Sequence, residues 1–374
     1  MKSIAEILGG AQILVGLAYD IQDSFEEYLS TDHRAFLAML RVIEEHLPPV
    51  ERIGSGIGRP AYENVPLFRA FLAQSFFRIT SIEALRNRLL NDPNLRQICG
   101  FSTVPSLATF SRRFAACADQ PVATRTLNDM VSHYHEGRII GHISRDSTAI
   151  PAREKPVNKK RDVAIPVGPK RKRGRPRKGE VRPTKGLRRL ERQLKMKPGK
   201  ALRELETDCA WGCKKNSQGN VSYWKGYKLH LDVTDLGIPV TAIVTGANVH
   251  DSQLAIPMEK LTERKVTFLY SVMDSAYDAA PVKNYIDGKG RVPLIDPNKR
   301  RGNEGIPFTP AQKERFKVRT TVERANAHLK DWLVPAQIFV RGVKKVSFQL
   351  TCGVLCLAAL KILQYFILPA QQGV

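Results

Sequence analysis

The chain has 374 residues, enough to build a sizeable core and two or three domains. Its formal charge of +23 exceeds what solubility requires and calls for a polyanionic partner, although composition alone also fits a ribosome-associated or membrane-surface protein. The six cysteines contain no Cys-x-x-Cys pair, so their spacing suggests neither a zinc site nor a secreted disulfide framework.

Taken in chain order, residues 1–54 read as a helical N-terminal segment, with an amphipathic stretch from Asp32 to His46. Met1 to Gly16 is apolar but carries Lys2 and Glu6 and no clear cleavage site, which predicts a cytoplasmic protein without a signal peptide. Gly54 to Pro60 is a breaker. A second, all-α domain follows over residues 55–135, with helices expected at Leu67 to Phe77, from Ser81, and from Pro105 to Phe114. The last has a Ser106 cap and ends in Arg112 and Arg113, which suits either a major-groove reader or a plain packing domain.

From residue 136 to 370 the pattern changes to α/β. Ile139 to Thr148 reads as a strand ending on Asp146, and Val266 to Ser275 as one ending on Asp274. Each Asp taken singly is more often a turn former than a ligand. Between them lies a basic insertion at about residues 153–205, in which Arg153 to Arg203 hold 21 Lys or Arg against four Asp or Glu. Its first half is too charged to fold alone, whereas Gly186 to Leu205 is partly in helical register. Within it, Lys172-Arg173-Gly174-Arg175-Pro176-Arg177-Lys178 resembles an AT-hook: Gly admits close approach, Pro keeps the chain extended, and the arginines seek a narrow minor groove. A phosphate-binding tether is the alternative.

Tyr223 to Asp232 and Ile238 to Gly246 read as a hairpin turned by Asp235-Leu236-Gly237. Helices at Ser252 to Glu263 and Ala279 to Lys289 alternate with the Asp274 strand and a short strand from Arg291 to Asp296. The run from Val346 to Leu368 has too few consecutive uncharged residues to span a bilayer and reads as a buried core helix, with no membrane partner. On Arg319-Thr320-Thr321-Val322-Glu323-Arg324-Ala325-Asn326-Ala327-His328-Leu329-Lys330, helical spacing puts Arg319, Glu323 and Lys330 on one face. Such a face suits a site for metal and phosphate, or an exposed helix decorated with ion pairs.

These pieces together resemble the DDE transposases of bacterial insertion sequences, over roughly residues 55 to 365. The family's last catalytic block is Tyr, Arg, Glu and Lys at fixed spacing, read here as Phe316, Arg319, Glu323 and Lys330. Phe316 keeps the ring and loses the hydroxyl. Asp274-Ser275-Ala276-Tyr277-Asp278 resembles the second Asp block, and Ala247-Asn248-Val249-His250-Asp251-Ser252 the turn after the third strand. The resemblance implies an RNase H-like mixed sheet with flanking helices behind an all-α N-terminal domain. It also implies a catalytic triad of Asp146, Asp274 and Glu323 binding two Mg²⁺, for which Mn²⁺ substitutes, with Arg319 and Lys330 positioning phosphates. Its partner is double-stranded DNA, at transposon ends and at target, and a homodimer is expected when active. Two alternatives are a catalytically inactive or domesticated DNA-binding descendant and an RNase H-like nuclease.

Overall fold

A computed structural model describes residues 29–48, 64–157, 187–215, 218–298 and 306–371. Arg173, Arg175 and Arg177 of the AT-hook-like stretch and the Gly54 to Pro60 breaker lie outside these residues.

The front of the chain is helical: α1 (Thr31–Glu44), α2 (Asn64–Phe76), α3 (Ile82–Asn91), α4 (Pro93–Cys99), α5 (Leu107–Asp119) and α6 (Val122–His135). Four of them start where a short polar side chain takes up a free backbone N–H, namely Ser30 on α1, Ser81 on α3, Asp92 on α4 and Ser106 on α5. Their apolar faces do not close on themselves alone. Phe68, Phe71 and Phe114 surround Phe348, with ring centroids 6.4, 5.8 and 5.0 Å away. Phe348 belongs to α13 (Val343–Ile362), which is apolar on all sides and buried along most of its length, so one core joins the front helices to the back of the chain. The helical run Val343–Ala370 is long and apolar enough to cross a membrane by length and composition, yet most of it is enclosed by protein.

The sheet contains β1 (Ile139–Pro151), β2 (Ala210–Lys215), β3 (Val221–Thr234), β4 (Pro239–Gly246), β5 (Thr267–Met273) and β6 (Val292–Ile295). β3 runs antiparallel to β1, β2 and β4, whereas β1, β5 and β6 are parallel. The resulting order β4-β3-β1-β5-β6, with β2 extending the β4 side of the long β3, is the RNase H-like arrangement. One face is covered by α13 and by α12 (Thr320–His328), the other by α9 (Ser252–Thr262) and α10 (Ala280–Asp287).

One sequence expectation needs correction. β1 does not end on Asp146: it runs five residues further, because Ser147 to Pro151 continue to pair with β3 as far as Gly226. The helical register read from Gly186 to Leu205 stands on the sheet's flank as α7 (Arg189–Lys195) and α8 (Pro198–Arg203). α9 supplies what that segment lacks alone, since Lys260 Nζ donates to the carbonyls of Gln193, Leu194 and Met196 and satisfies the exposed end of α7.

Candidate active site

Strand register brings the two aspartates together. β1 and β5 are parallel with Arg145 opposite Met273, so the next residue of each chain segment, Asp146 and Asp274, stand side by side at the carboxyl end of β5. Asp274 also fills the turn-forming role, its Oδ1 accepting from Ala276 N at 3.0 Å to start a one-turn helix over Ser275–Tyr277.

Below Asp146 lies the anchor that fixes its height. Arg145 is fully buried; its Nε and Nη2 donate to the two oxygens of Asp232 at 2.6 and 2.7 Å, Nη2 also reaches Glu259 Oε2 at 3.1 Å, and Nη1 donates to Ala255 O at 2.7 Å. Burial alone would lower the guanidinium pKa, but Asp232 and Glu259 more than offset it and the pKa is raised. Thr262 and Ser271 satisfy the remaining carboxylate oxygens at 2.6 and 2.7 Å. The alternation of β1 thus puts Arg145 into a closed ionic core and Asp146 onto the opposite, open face.

Burial pushes the Asp146 carboxyl up to about 6; the neighbouring Asp274 adds to the rise, while the Ser147 N–H, Arg319 and Lys214 act against it. Asp274 is raised as well, again chiefly by burial, with Asp251 adding to it and Arg319 and Lys214 opposing. Two half-buried carboxylates side by side with an incompletely cancelled charge are a site that a hard cation would stabilise.

The cationic helix adds the third wall. Glu323 is exposed on α12 and is held by Arg319, whose Nη1 donates to Glu323 Oε1 at 2.5 Å. The ion-pair reading of that helix is seen directly, and Arg319 also lies within electrostatic reach of both aspartates. Among the described residues no three His, Cys, Asp or Glu side chains are close enough to enclose one ion, so Glu323 is not gathered with the aspartates. Lys330 does not continue the α12 face. It falls in a wider π-helical turn, Leu329–Leu333, with its side chain exposed and its carbonyl accepting from Arg78 Nη2 at 3.2 Å.

Three residues at the site carried no assigned role in the sequence. Asn326, one turn beyond Glu323, donates to Asp146 Oδ2 at 3.5 Å. Asp251 accepts from Lys228 Nζ at 2.9 Å; burial pushes its carboxyl up, but His230 and Lys228 overcome this and hold it below the usual range. Tyr277 is fully buried, close enough to Asp251, Asp146 and Asp274 for their charges to act on its hydroxyl. The Tyr277 hydroxyl, Arg319 Nε and Asn326 Oδ1 are buried with no hydrogen-bond partner among the described residues. Three polar atoms thus border the acidic pair with hydrogen-bonding capacity unused among the described residues. Asp278, by contrast, is taken up by Lys283 Nζ at 2.7 Å and Asn298 N at 2.8 Å.

Away from the acidic pair, the Ser106 cap stands as expected, accepting from Thr109 N, and Phe110 and Phe114 bury one face of α5. Arg112 lies on the exposed face with its Nε on Ala108 O, while Arg113 is half-buried.

A family model described as "Transposase DDE domain" matches residues 140–357, from β1 through most of α13 and including Asp146, Asp274 and Glu323. The chain belongs to the DDE transposases. A second model, "Transposase domain (DUF772)", matches residues 23–115, so the helical front of this transposase is also of transposase type. No curated protein matches the chain. DDE transposases use divalent metals and act on DNA, and the oxygen ligands and raised carboxyl pKa values at Asp146 and Asp274 fit such ions chemically.

Proposed function

We propose that this transposase cleaves DNA at transposon ends and joins the freed 3′-OH to target DNA, with Asp146, Asp274 and Glu323 holding two Mg²⁺, or Mn²⁺ in their place. The observation that carries this reading is the pairing of Asp146 with Asp274 across the β1–β5 register beneath Arg319. When bound, the cations lower the cost of deprotonating the attacking water or 3′-OH and of placing charge on the departing oxygen. The chain's own groups do the rest. Asp146 and Asp274 supply anionic oxygens, Glu323 joins them once a phosphate competes for Arg319, and Arg319 then grips that phosphate beside the reacting bond. Lys330 is a further phosphate contact on the exposed turn, and the Tyr277 hydroxyl donates to an oxygen held at the carboxylates.

End recognition falls to α5, through Arg112 and its neighbours, and the basic stretch with Arg173, Arg175 and Arg177 adds affinity for A·T-rich or non-specific DNA. Pairing of two ends calls for a homodimer at work. A descendant that only bound DNA would have no use for two desolvated carboxylates that repel phosphate, which favours the catalytic reading.

The purified chain incubated with a duplex carrying the DNA that flanks its gene should yield nicked products with 3′-OH ends in Mg²⁺ or Mn²⁺ and none in EDTA. Binding without any metal-dependent nick would favour the inactive descendant, and equal cutting of unrelated duplex or RNA would favour the nuclease.

A further inference from the structure

β1 pairs with β3 only from Gly226 onward, whereas β2 pairs with β3 from Val221 to Gly226. Strand β2 and the first half of β3 therefore form a two-stranded arm that projects past the end of β1, beyond the edge of the sheet where Asp274 sits. The arm has two unlike faces. On one, Trp224 is anchored: its Nε1 donates to Tyr227 O at 3.1 Å and its ring lies over Gly212, where any Cβ would collide with it. On the other, Trp211 pairs with Lys225 and Cys213 with Tyr223, so Trp211 and Tyr223 are diagonal neighbours within reach of a common ligand. Trp211 is 62% exposed and Tyr223 71%, and neither makes a side-chain hydrogen bond or ring contact among the described residues.

We infer that this arm is a stacking platform for unpaired DNA bases, with Trp211 and Tyr223 taking a base each at the end being processed. An intact duplex keeps its bases stacked on one another and offers no free base face, whereas an unpaired base needs a new π-face, and two rings on a rigid ribbon supply it. The surroundings select DNA over a protein partner. Lys225 shares the aromatic face, and Lys214 on the opposite face is exposed and near enough to the Asp146 and Asp274 carboxyls to oppose their rise. The arm is thus continuous with the acidic pair and carries the cations that a phosphate chain leading to it requires. The inference rests on the DNA-processing reading above, but its test needs neither metal nor cleavage, so each can fail without the other.

The test is binding of the full chain, in EDTA, to a labelled oligo-dT of about 12 nucleotides and to a blunt random duplex of similar length. Trp211→Ala and Tyr223→Ala should each weaken oligo-dT binding at least about fivefold and leave duplex binding within about twofold, with Trp211→Phe restoring most of the loss. Because stacking is uncharged, the slope of log affinity against log salt should stay unchanged in Trp211→Ala and fall in Lys214→Ala. Both rings are exposed, so the variants should keep the wild-type melting midpoint; if Trp211→Ala does not fold, Tyr223→Ala and Trp211→Phe carry the comparison. Unchanged oligo-dT affinity in the Trp211/Tyr223 double variant overturns the inference. So does an equal loss on duplex, or a wild-type dimer that becomes monomeric on substitution with both DNA affinities intact, which would make the arm a contact between copies.

Discussion

Arg319 Nη1 donates to Glu323 Oε1 at 2.5 Å along one turn of helix while the same guanidinium faces Asp146 and Asp274. Arg319 thus acts on three carboxylates in the free protein, with Lys214 acting on the two aspartates as well, and the Arg319 Nε is left without a partner among the described residues. Arg319→Ala should lower strand cleavage by about 100-fold, the scale of losing one charge-stabilising donor in a transition state. Affinity for the same DNA should fall by no more than about threefold, since this is one phosphate contact among many. Parallel cleavage and gel-shift measurements test this, and equal losses in both would make Arg319 an ordinary affinity residue.

The Asp146 carboxyl gives a pH signature. Its folded pKa of about 6 lies above the unfolded carboxyl near 3.9, so between these values the folded state binds more protons than the unfolded one. The Asp146 contribution to stability therefore falls as pH rises through that window and levels off above about 7, against the opposite contribution of His230, whose pKa burial lowers to about 4. Metal binding runs the other way, because the ligand must be ionised. Mn²⁺ affinity by calorimetry should rise from pH 5 to 7 and flatten, and the Asp146→Asn variant should lose both slopes. An Asp146→Asn variant with the wild-type pH profile would remove this carboxyl from the site.

How much of this was legible in the sequence varies by residue. The β-rich runs before Asp146 and Asp274, the Ser106 cap and the spacing of Arg319 to Glu323 are local signals, and each stands in the structure. The true end of β1 was hidden because its continuation depends on pairing with residues almost 80 positions away, from His230 back to Gly226. Arg145 inside an apolar run carries no local sign of its burial; only Asp232 and Glu259, brought in by β3 and α9, make that burial possible. Asp251, next to His250 ahead of a helix, reads as a turn residue until Lys228 and the acidic pair surround it. Strand β2, six residues with a Gly and two Lys, has no periodic signal of its own and is defined by β3.

The Tyr277 hydroxyl is buried without a partner, so removing it should cost the fold nothing. Tyr277→Phe is expected to keep or slightly raise the melting midpoint while lowering cleavage about tenfold, the effect of one donor to a bound oxygen. A destabilisation above about 1 kcal/mol would show that the hydroxyl is bonded within the fold and is structural.

Arg145 makes the opposite prediction. Truncating it strands Asp232 in the core without its ion-pair partner and leaves Glu259 with Arg291 alone, so Arg145→Ala should destabilise by about 3–5 kcal/mol in urea unfolding. Loss of activity in this variant should track loss of folded protein. A change below about 1 kcal/mol would mean that water reaches the network and that Asp146 is not held by it.

The central claim is that Asp146, Asp274 and Glu323 act together on metal and not on DNA affinity. Its most direct measurement compares Asp146→Asn, Asp274→Asn and Glu323→Gln with the wild type for Mg²⁺-dependent nicking of end DNA and, in the same preparations, for binding of that DNA in EDTA. Each single variant should reduce nicking below detection while binding stays within about threefold of wild type, because metal ligands contribute little to phosphate affinity. Substantial nicking by any one of the three, above all by Glu323→Gln, whose carboxylate lies apart from the aspartates, would contradict the triad.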